Sequence, residues 1–240
     1  MKKTIIGLIL CLTVLAFTMT AMAASKDGIF LSKDGRKTVN TNDPPKGQPY
    51  VENNAGLTTI FDNLGGKYPD GAYWCCTGAT ITGHKNAIGF PELWDAAAFT
   101  PSTSLNVTKI EIAVGYIYGT YTDVLLSLSD DDGTGKPGAP IKTWKTQIGG
   151  NAFGDCCGVS TDCSAGVPVT GGKQYWVVVS TEKKSDVWAA WNYNDTKQLS
   201  TDAIPQALWC SGTKSQCGKG NKVWTAYQGY PGFAFAVFGK

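Results

Sequence analysis

Lys109-Ile110-Glu111-Ile112-Ala113-Val114-Gly115-Tyr116-Ile117-Tyr118 decides the fold class. Ile110, Ile112, Val114, Tyr116 and Tyr118 occupy every second position, with Glu111, Ala113, Gly115 and Ile117 between them, the period of a strand that buries one face. Glu111 alternates away from the apolar face and is assigned to the outer surface. Residues 124–128, Val-Leu-Leu-Ser-Leu, follow after Gly119-Thr120-Tyr121-Thr122, and that turn predicts a hairpin between the two segments.

Working outward, residues 174–180 are nearly continuously apolar, as in a strand buried on both faces. Residues 187–193 form an aromatic-rich strand beyond the polar turn 182–186, and the two are expected to pair antiparallel. The chain closes on residues 233–238, where large and small apolar residues alternate. Weaker strand candidates are residues 57–61, 79–82, 94–99, 140–146 and 222–227, while 129–138 reads as a turn-rich loop. No stretch sustains a helical period. A series of roughly ten short strands between turn signals predicts an all-β fold, an antiparallel β-sandwich or jelly roll bearing disulfides.

Met1-Lys2-Lys3, an apolar stretch over residues 4–17 and Ala21-Met22-Ala23 compose a secretory signal peptide, residues 1–23. Residues 24–50, polar and broken by Asn42-Asp43-Pro44-Pro45-Lys46-Gly47, read as an irregular N-terminal arm. Residues 51–240 read as a single β-sandwich domain. The expected location is secreted or periplasmic, with no membrane insertion after signal cleavage, because the apolar stretch is short for a span. Leu10 stands where lipid attachment at Cys11 needs a small residue, so a lipid anchor is not expected.

Loss of Lys2 and Lys3 leaves 19 Lys and Arg against 19 Asp and Glu. A chain so near neutrality, with no basic cluster, lacks the electrostatic footprint for nucleic acid or an anionic membrane. Seven cysteines remain beyond Cys11: Cys75, Cys76, Cys156, Cys157, Cys163, Cys210 and Cys217. In an exported protein they read first as disulfides. Cys210 and Cys217 flank a polar six-residue loop and are expected to pair; Cys163 is expected to bridge Cys157 or its neighbour Cys156. Cys75 or Cys76 offers a thiol to a longer link, and one cysteine is left over on any scheme. Adjacent cysteines lack the C-x2-C spacing of structural zinc sites.

Several segments between residues 88 and 193 form a recognisable series: Ala98-Phe99-Thr100-Pro101; Ile110 to Gly115; Leu126-Ser127-Leu128-Ser129 with Gly135-Lys136-Pro137-Gly138; Phe153-Gly154-Asp155-Cys156-Cys157; Gly171-Gly172-Lys173-Gln174-Tyr175-Trp176-Val177-Val178-Val179; and Trp188-Ala189-Ala190-Trp191-Asn192. The series resembles secreted bacterial β-sandwich proteins of the "choice-of-anchor" extracellular type. The resemblance implies fold and compartment and carries over no catalytic residue.

His84 is the sole histidine, which removes most zinc-hydrolase and Ser-His-Asp schemes and favours a solvated loop position. Serine elbows of the G-x-S-x-G form are absent. No cofactor is expected except calcium, for which Asp130-Asp131-Asp132 beside Gly133 supplies hard oxygens, although the spacing departs from the D-x-[DN]-x-[DN]-G loop. A glycosidase needs two carboxylates across a cleft, and Glu52, Glu92, Asp95, Glu111, Asp123 and Glu182 are of the right type.

Eight Trp and ten Tyr against three Met stand above background. Aromatic faces stack on sugar rings while Asn, Asp and Gln direct hydrogen bonds. Trp191, Asn192, Tyr193, Trp209, Trp224 and Tyr227 combine those chemistries and are the candidate ligand-binding residues. The leading expectation is a non-enzymatic secreted sandwich that binds a glycan or another cell-surface component through loop aromatics. Alternatives are a structural subunit of an extracellular matrix or filament, which would self-associate, and a polysaccharide-active enzyme on a jelly-roll scaffold.

Overall fold

The computed structural model describes residues 27–31, 37–41, 54–64, 73–86, 89–148, 158–194, 207–211 and 224–240. The signal peptide expected at residues 1–23 lies outside them. Among the described residues there is no helix, and fourteen strands pair antiparallel throughout.

One ladder runs in the order β3 (Thr58–Asp62), β14 (Phe235–Gly239), β6 (Leu105–Tyr118) and β9 (Gly158–Val169). A second runs β8 (Pro137–Gln147), β7 (Asp123–Asp131), β10 (Tyr175–Ser180) and β5 (Leu93–Phe99). β4 (Tyr73–Thr82) touches β5 through Thr82 and Leu93, and β11 (Trp188–Asn194) pairs with β4 and with the C-terminal end of β6. The two ladders are therefore parts of one network. β12 (Ala207–Ser211) pairs with β5 and with β13 (Thr225–Ala226). β1 (Asp27–Leu31) and β2 (Lys37–Thr41) form a hairpin that extends β4.

The residues that alternate inward on β6, Ile110, Ile112 and Val114, enter one large core with Val124, Leu126 and Leu128 of β7 and Val177 and Val179 of β10. Aromatic rings tie the ladders together. Phe61 on β3 stacks on Phe235 of β14 at 4.6 Å, and both meet Phe99 of β5, at 6.1 and 6.2 Å between centroids. Trp191 of β11 stacks on Phe233 at 4.7 Å and donates its indole N–H to the Ala234 carbonyl at 2.8 Å. That seam tolerates no bulk on β4 at Gly78, where a Cβ would run into the Trp191 carbonyl.

Many strands lie where the sequence reading places them, but β9 and β12 were not expected and the pairings differ. The expected hairpin between residues 109–118 and 124–128 does not form: β7 pairs with β8 and β10, while β6 pairs with β9, β11 and β14. The physical reason lies in the connection. The Asp186 carboxylate accepts the Thr120 and Tyr121 amides at 2.9 and 3.0 Å, tying residues 119–122 to the turn before β11. Nor does β10 pair with β11; it lies between β5 and β7. All six of its residues are buried, and backbone N–H and C=O groups so removed from water need a hydrogen-bonded strand on each edge.

Two further expectations change. The arm at residues 24–50 contains β1 and β2 and is not irregular throughout. The loop expected at 129–138 shrinks to residues 132–136, because 129–131 belong to β7 and 137–138 to β8, which close a hairpin around Gly133 and Gly135, both at positive φ (86° and 77°).

Phe99→Ala removes the ring at the junction of the ladders and is expected to lower the unfolding free energy by about 3–5 kcal/mol in urea titration. A loss below about 1 kcal/mol would contradict this packing.

Candidate functional site

Most aromatics singled out by sequence belong to the core. Trp191 and Tyr193 alternate inward on β11 and are fully buried, and Tyr193 stacks on Phe233 at 5.7 Å. Asn192, on the opposite face, is also covered. Tyr227 is buried against Tyr193 and donates its hydroxyl to Asp95 at 3.0 Å. Trp209 is half-buried, packed against the main core beside Tyr227. Trp191, Asn192, Tyr193 and Tyr227 are thus covered and offer no surface to a ligand, a correction to their expected role. The reason is the period of two on β11, which aims both large rings at Phe233.

Trp224 stands apart. With Trp94, Ala96, Trp176, Val178, Leu208, Cys210 and Ala226 it forms a second apolar cluster, built from side chains that alternate away from the main core. Cys210 there is disulfide-bonded; Cys217, the partner assigned by sequence, lies outside the described residues.

Beside this cluster the outward face of β5, β10, β7 and β8 forms a groove enclosing about 140 Å³. At roughly 30 Å³ per water in the liquid, that is room for about five waters, a size suited to a single small ring. Trp94 and Trp224 form its apolar wall, and Pro137 and Pro140 of β8 lie along it. Ser127, Ser129, Thr143, Ser180 and Thr181 bring hydroxyls to the lining.

Local sequence explains this composition. Leu126-Ser127-Leu128-Ser129 alternates, so the leucines enter the core and the serines face the groove. Ser127 and Thr143, opposite each other on β7 and β8, share a hydrogen bond of 2.7 Å. Trp94 is oriented by its N–H, which donates to Glu92 Oε1 at 2.9 Å. The sequence reading missed Trp94 and the serine row; the alternation in residues 126–129 was the signal that could have revealed the latter.

Asp130, Asp131 and Asp132 do not converge on a cation site. Asp131 Oδ1 accepts the Gly133 amide at 2.8 Å, and its Oδ2 accepts Gln174 Nε2 and Trp176 Nε1, each at 2.9 Å. Asp132 Oδ1 takes the Thr134 amide and hydroxyl, and Asp130 takes Lys173 Nζ at 2.7 Å. The carboxylates are thus engaged in shaping the hairpin tip, as Asp does in turns, and calcium has no assembled ligand set there. Among the described residues no group of three or more His, Cys, Asp or Glu is disposed to hold a metal.

The other carboxylates are dispersed. Lys145 joins Asp123 at 3.1 Å and Glu182 at 3.4 Å, while Lys109 pairs with Glu111 at 2.9 Å; Glu111 is only 6% exposed, so it is buried beside that lysine and not on the outer surface expected for it. His84 lies 3.8 Å from Glu92, and Glu52 falls outside the described residues. Among the described residues no carboxylate lines the groove.

Cys163 is a free, buried thiol, which overturns its expected bridge to Cys157 or Cys156. It faces the main core from β9 and donates weakly to the Thr161 carbonyl, and Cys157 lies outside the described residues. No family model matches the chain, and no curated protein matches it.

Burial, with a smaller contribution from Asp162, pushes the Cys163 thiol up to about 12. It is expected to resist alkylation in the native protein at pH 8 and to react in guanidinium without reductant. A disulfide at Cys163 would block labelling in both states.

Asp95 points into the core, where burial drives its carboxyl well above the ordinary range despite the opposing hydrogen bond from Tyr227. The folded chain keeps a proton that the unfolded chain releases above about pH 4. The contribution of Asp95 to stability therefore declines as pH rises from there towards the raised native value. Asp95→Asn, neutral throughout, is expected to flatten this decline. Urea midpoints of variant and wild type should separate in favour of the variant between pH 4 and 8; a constant separation would contradict the assignment.

Proposed function

We propose that this protein is an exported, non-enzymatic β-sandwich whose outward groove binds a glycan. The observation that carries the reading is the conjunction of Trp94 and Trp224 with hydroxyl-bearing side chains in one concave lining. Trp94 and Trp224 are 6% and 4% exposed and so give the lining an apolar edge that a sugar's C–H groups can meet, while hydroxyls on the same lining exchange hydrogen bonds with its rim. The contact of Phe61 and Phe235 with Phe99 across the two ladders supports the sandwich arrangement. The charged and apolar parts of residues 1–23 support export, and the resemblance to "choice-of-anchor" proteins points to the same compartment.

The enzymatic alternative gains no support from the described residues of the groove, among which there is no facing carboxylate pair of the kind a glycosidase uses. An assembly role resting on a spare exposed thiol loses Cys163, which is buried. β8, paired only with β7 among the described residues, carries Pro137, Pro140, Lys142 and Lys145, features that blunt strand addition at an edge.

A glycan-array screen of the mature chain, run with and without calcium, tests the reading. Binding is expected under both conditions. Trp94→Ala and Trp224→Ala, verified as folded by circular dichroism, are expected to weaken binding about tenfold or more, at least 1.4 kcal/mol. Binding that both folded variants retain unchanged would remove the site from this groove.

A further inference from the structure

Lys109 and Glu111 stand two residues apart on β6 and so share the face opposite Ile110 and Ile112. That face is covered around them. Glu111 is 6% exposed, the Lys109 side chain 12%, and Phe238, the register partner of Lys109 on β14, lies with its ring 5.8 Å from Nζ. Lys109 Nζ is 2.9 Å from Glu111 Oε1, an oxygen with no access to solvent. Nζ also donates to the side-chain oxygen of Asn54, in the segment just before β3, at 2.6 Å. The fold thus brings a primary amine, a carboxamide and a carboxylate to one point of the sheet.

These are the parts of an acyl transfer. A lysine amine is a nucleophile once it has given up its proton, and a carboxyl group in contact with it can take that proton and return it to a leaving group. Aminolysis of a carboxamide is slow in water, but two groups held in contact react as if at effective concentrations of about 10⁵ M or more, and a positioned general acid–base adds about 10²–10⁴-fold. Burial keeps water from competing for the same carbonyl.

We propose that Lys109 and Asn54 are joined by an intramolecular isopeptide bond whose formation Glu111 promotes. A proton passes from Nζ to Glu111, leaving a neutral amine and a carboxylic acid. The amine's lone pair forms the bond to Asn54 Cγ while the carbonyl pair moves onto Oδ1. Glu111 delivers its proton to Nδ2, the Oδ1 pair re-forms the carbonyl, the Cγ–Nδ2 bond breaks and ammonia departs. The surplus proton on Nζ returns to Glu111. The products are a secondary amide, ammonia and a neutral Glu111, so protons and charge balance without oxidant or reductant. The bond ties the entry to β3, which pairs only with β14 among the described residues, to β6 on the far side of β14. It closes a loop between positions 55 apart, restricting the unfolded chain as a disulfide does while resisting reductants. It is independent of the groove and of the glycan reading.

The test is the intact mass of the mature chain, reduced and alkylated under denaturing conditions. Wild type is expected to fall short of its sequence mass by one ammonia. Trypsin should leave the chain uncut after Lys109, whose amine is acylated, and release a branched peptide joining residues 47–67 to 86–142. Lys109→Arg is expected to show its full sequence mass. Glu111→Gln, verified as folded by circular dichroism, is expected to lose ammonia about a hundredfold more slowly after refolding. A wild-type chain of full mass that trypsin cuts after Lys109 would overturn the proposal and leave Lys109 and Glu111 as an ordinary ion pair. Ammonia loss that persists in Lys109→Arg would assign it to cyclisation of an asparagine and equally remove the bond. Formation at the wild-type rate in Glu111→Gln would strike out the part given to that carboxylate.

Discussion

β10 lies between β5 and β7, and the burial of all six of its residues governs both faces of the second ladder. Tyr175, Val177 and Val179 enter the main core, where Tyr175 packs 5.9 Å from Phe99. Trp176 and Val178 turn the other way and seat the cluster that holds Trp94 and Trp224. A strand of continuous apolar residues cannot expose either side without losing roughly 25 cal/mol for each Å² of apolar area returned to water. Its inner face therefore requires the opposing ladder, and its outer face requires the tryptophan cluster. The groove lies where that outer covering gives way to hydroxyls, at Ser127, Ser129, Ser180 and Thr181.

Polar commitments fix the surroundings. Trp176 is anchored at the hairpin tip by Asp131, and Trp94 is anchored by Glu92. Trp224 lacks an equivalent tie. Within one cluster, two indoles are thus positioned by carboxylates and the third is not. The same asymmetry separates Asp131, whose oxygens are occupied by amides and side chains, from Asp95, which keeps one oxygen without a hydrogen bond in the core. The first stabilises a surface turn; burial holds the carboxyl of the second well above the ordinary range.

Much of the strand content was legible in the sequence because periodicity and turn residues act locally. Residues 109–118 and 174–180 are strands as their patterns require, and the alternation over 233–238 ends in β14. Pairing was not legible, since a turn signal marks a reversal without naming the edge the next strand joins. Asp186, distant in sequence from Thr120 and Tyr121, redirects the connection after β6, and no local pattern carries that information. Among the aromatics, polar context distinguished Trp224 from the rest only weakly. Whether a ring such as Trp191 faces solvent depends on Phe233, which arrives from a remote part of the chain. Cys163 shows the same limit: proximity to Cys157 in sequence suggested a bridge, yet the alternation of β9 sends its sulfur into the core.

The most direct measurement of the central claim is a titration of the mature protein, labelled with 15N at its tryptophan indoles, with a neutral monosaccharide followed by two-dimensional NMR. The indole N–H signal of Trp224 should shift saturably, and that of Trp191, already bonded to the Ala234 carbonyl, should remain in place. Saturable binding detected in the same sample with no movement of the Trp224 signal, or with movement centred on Trp191, would contradict the account.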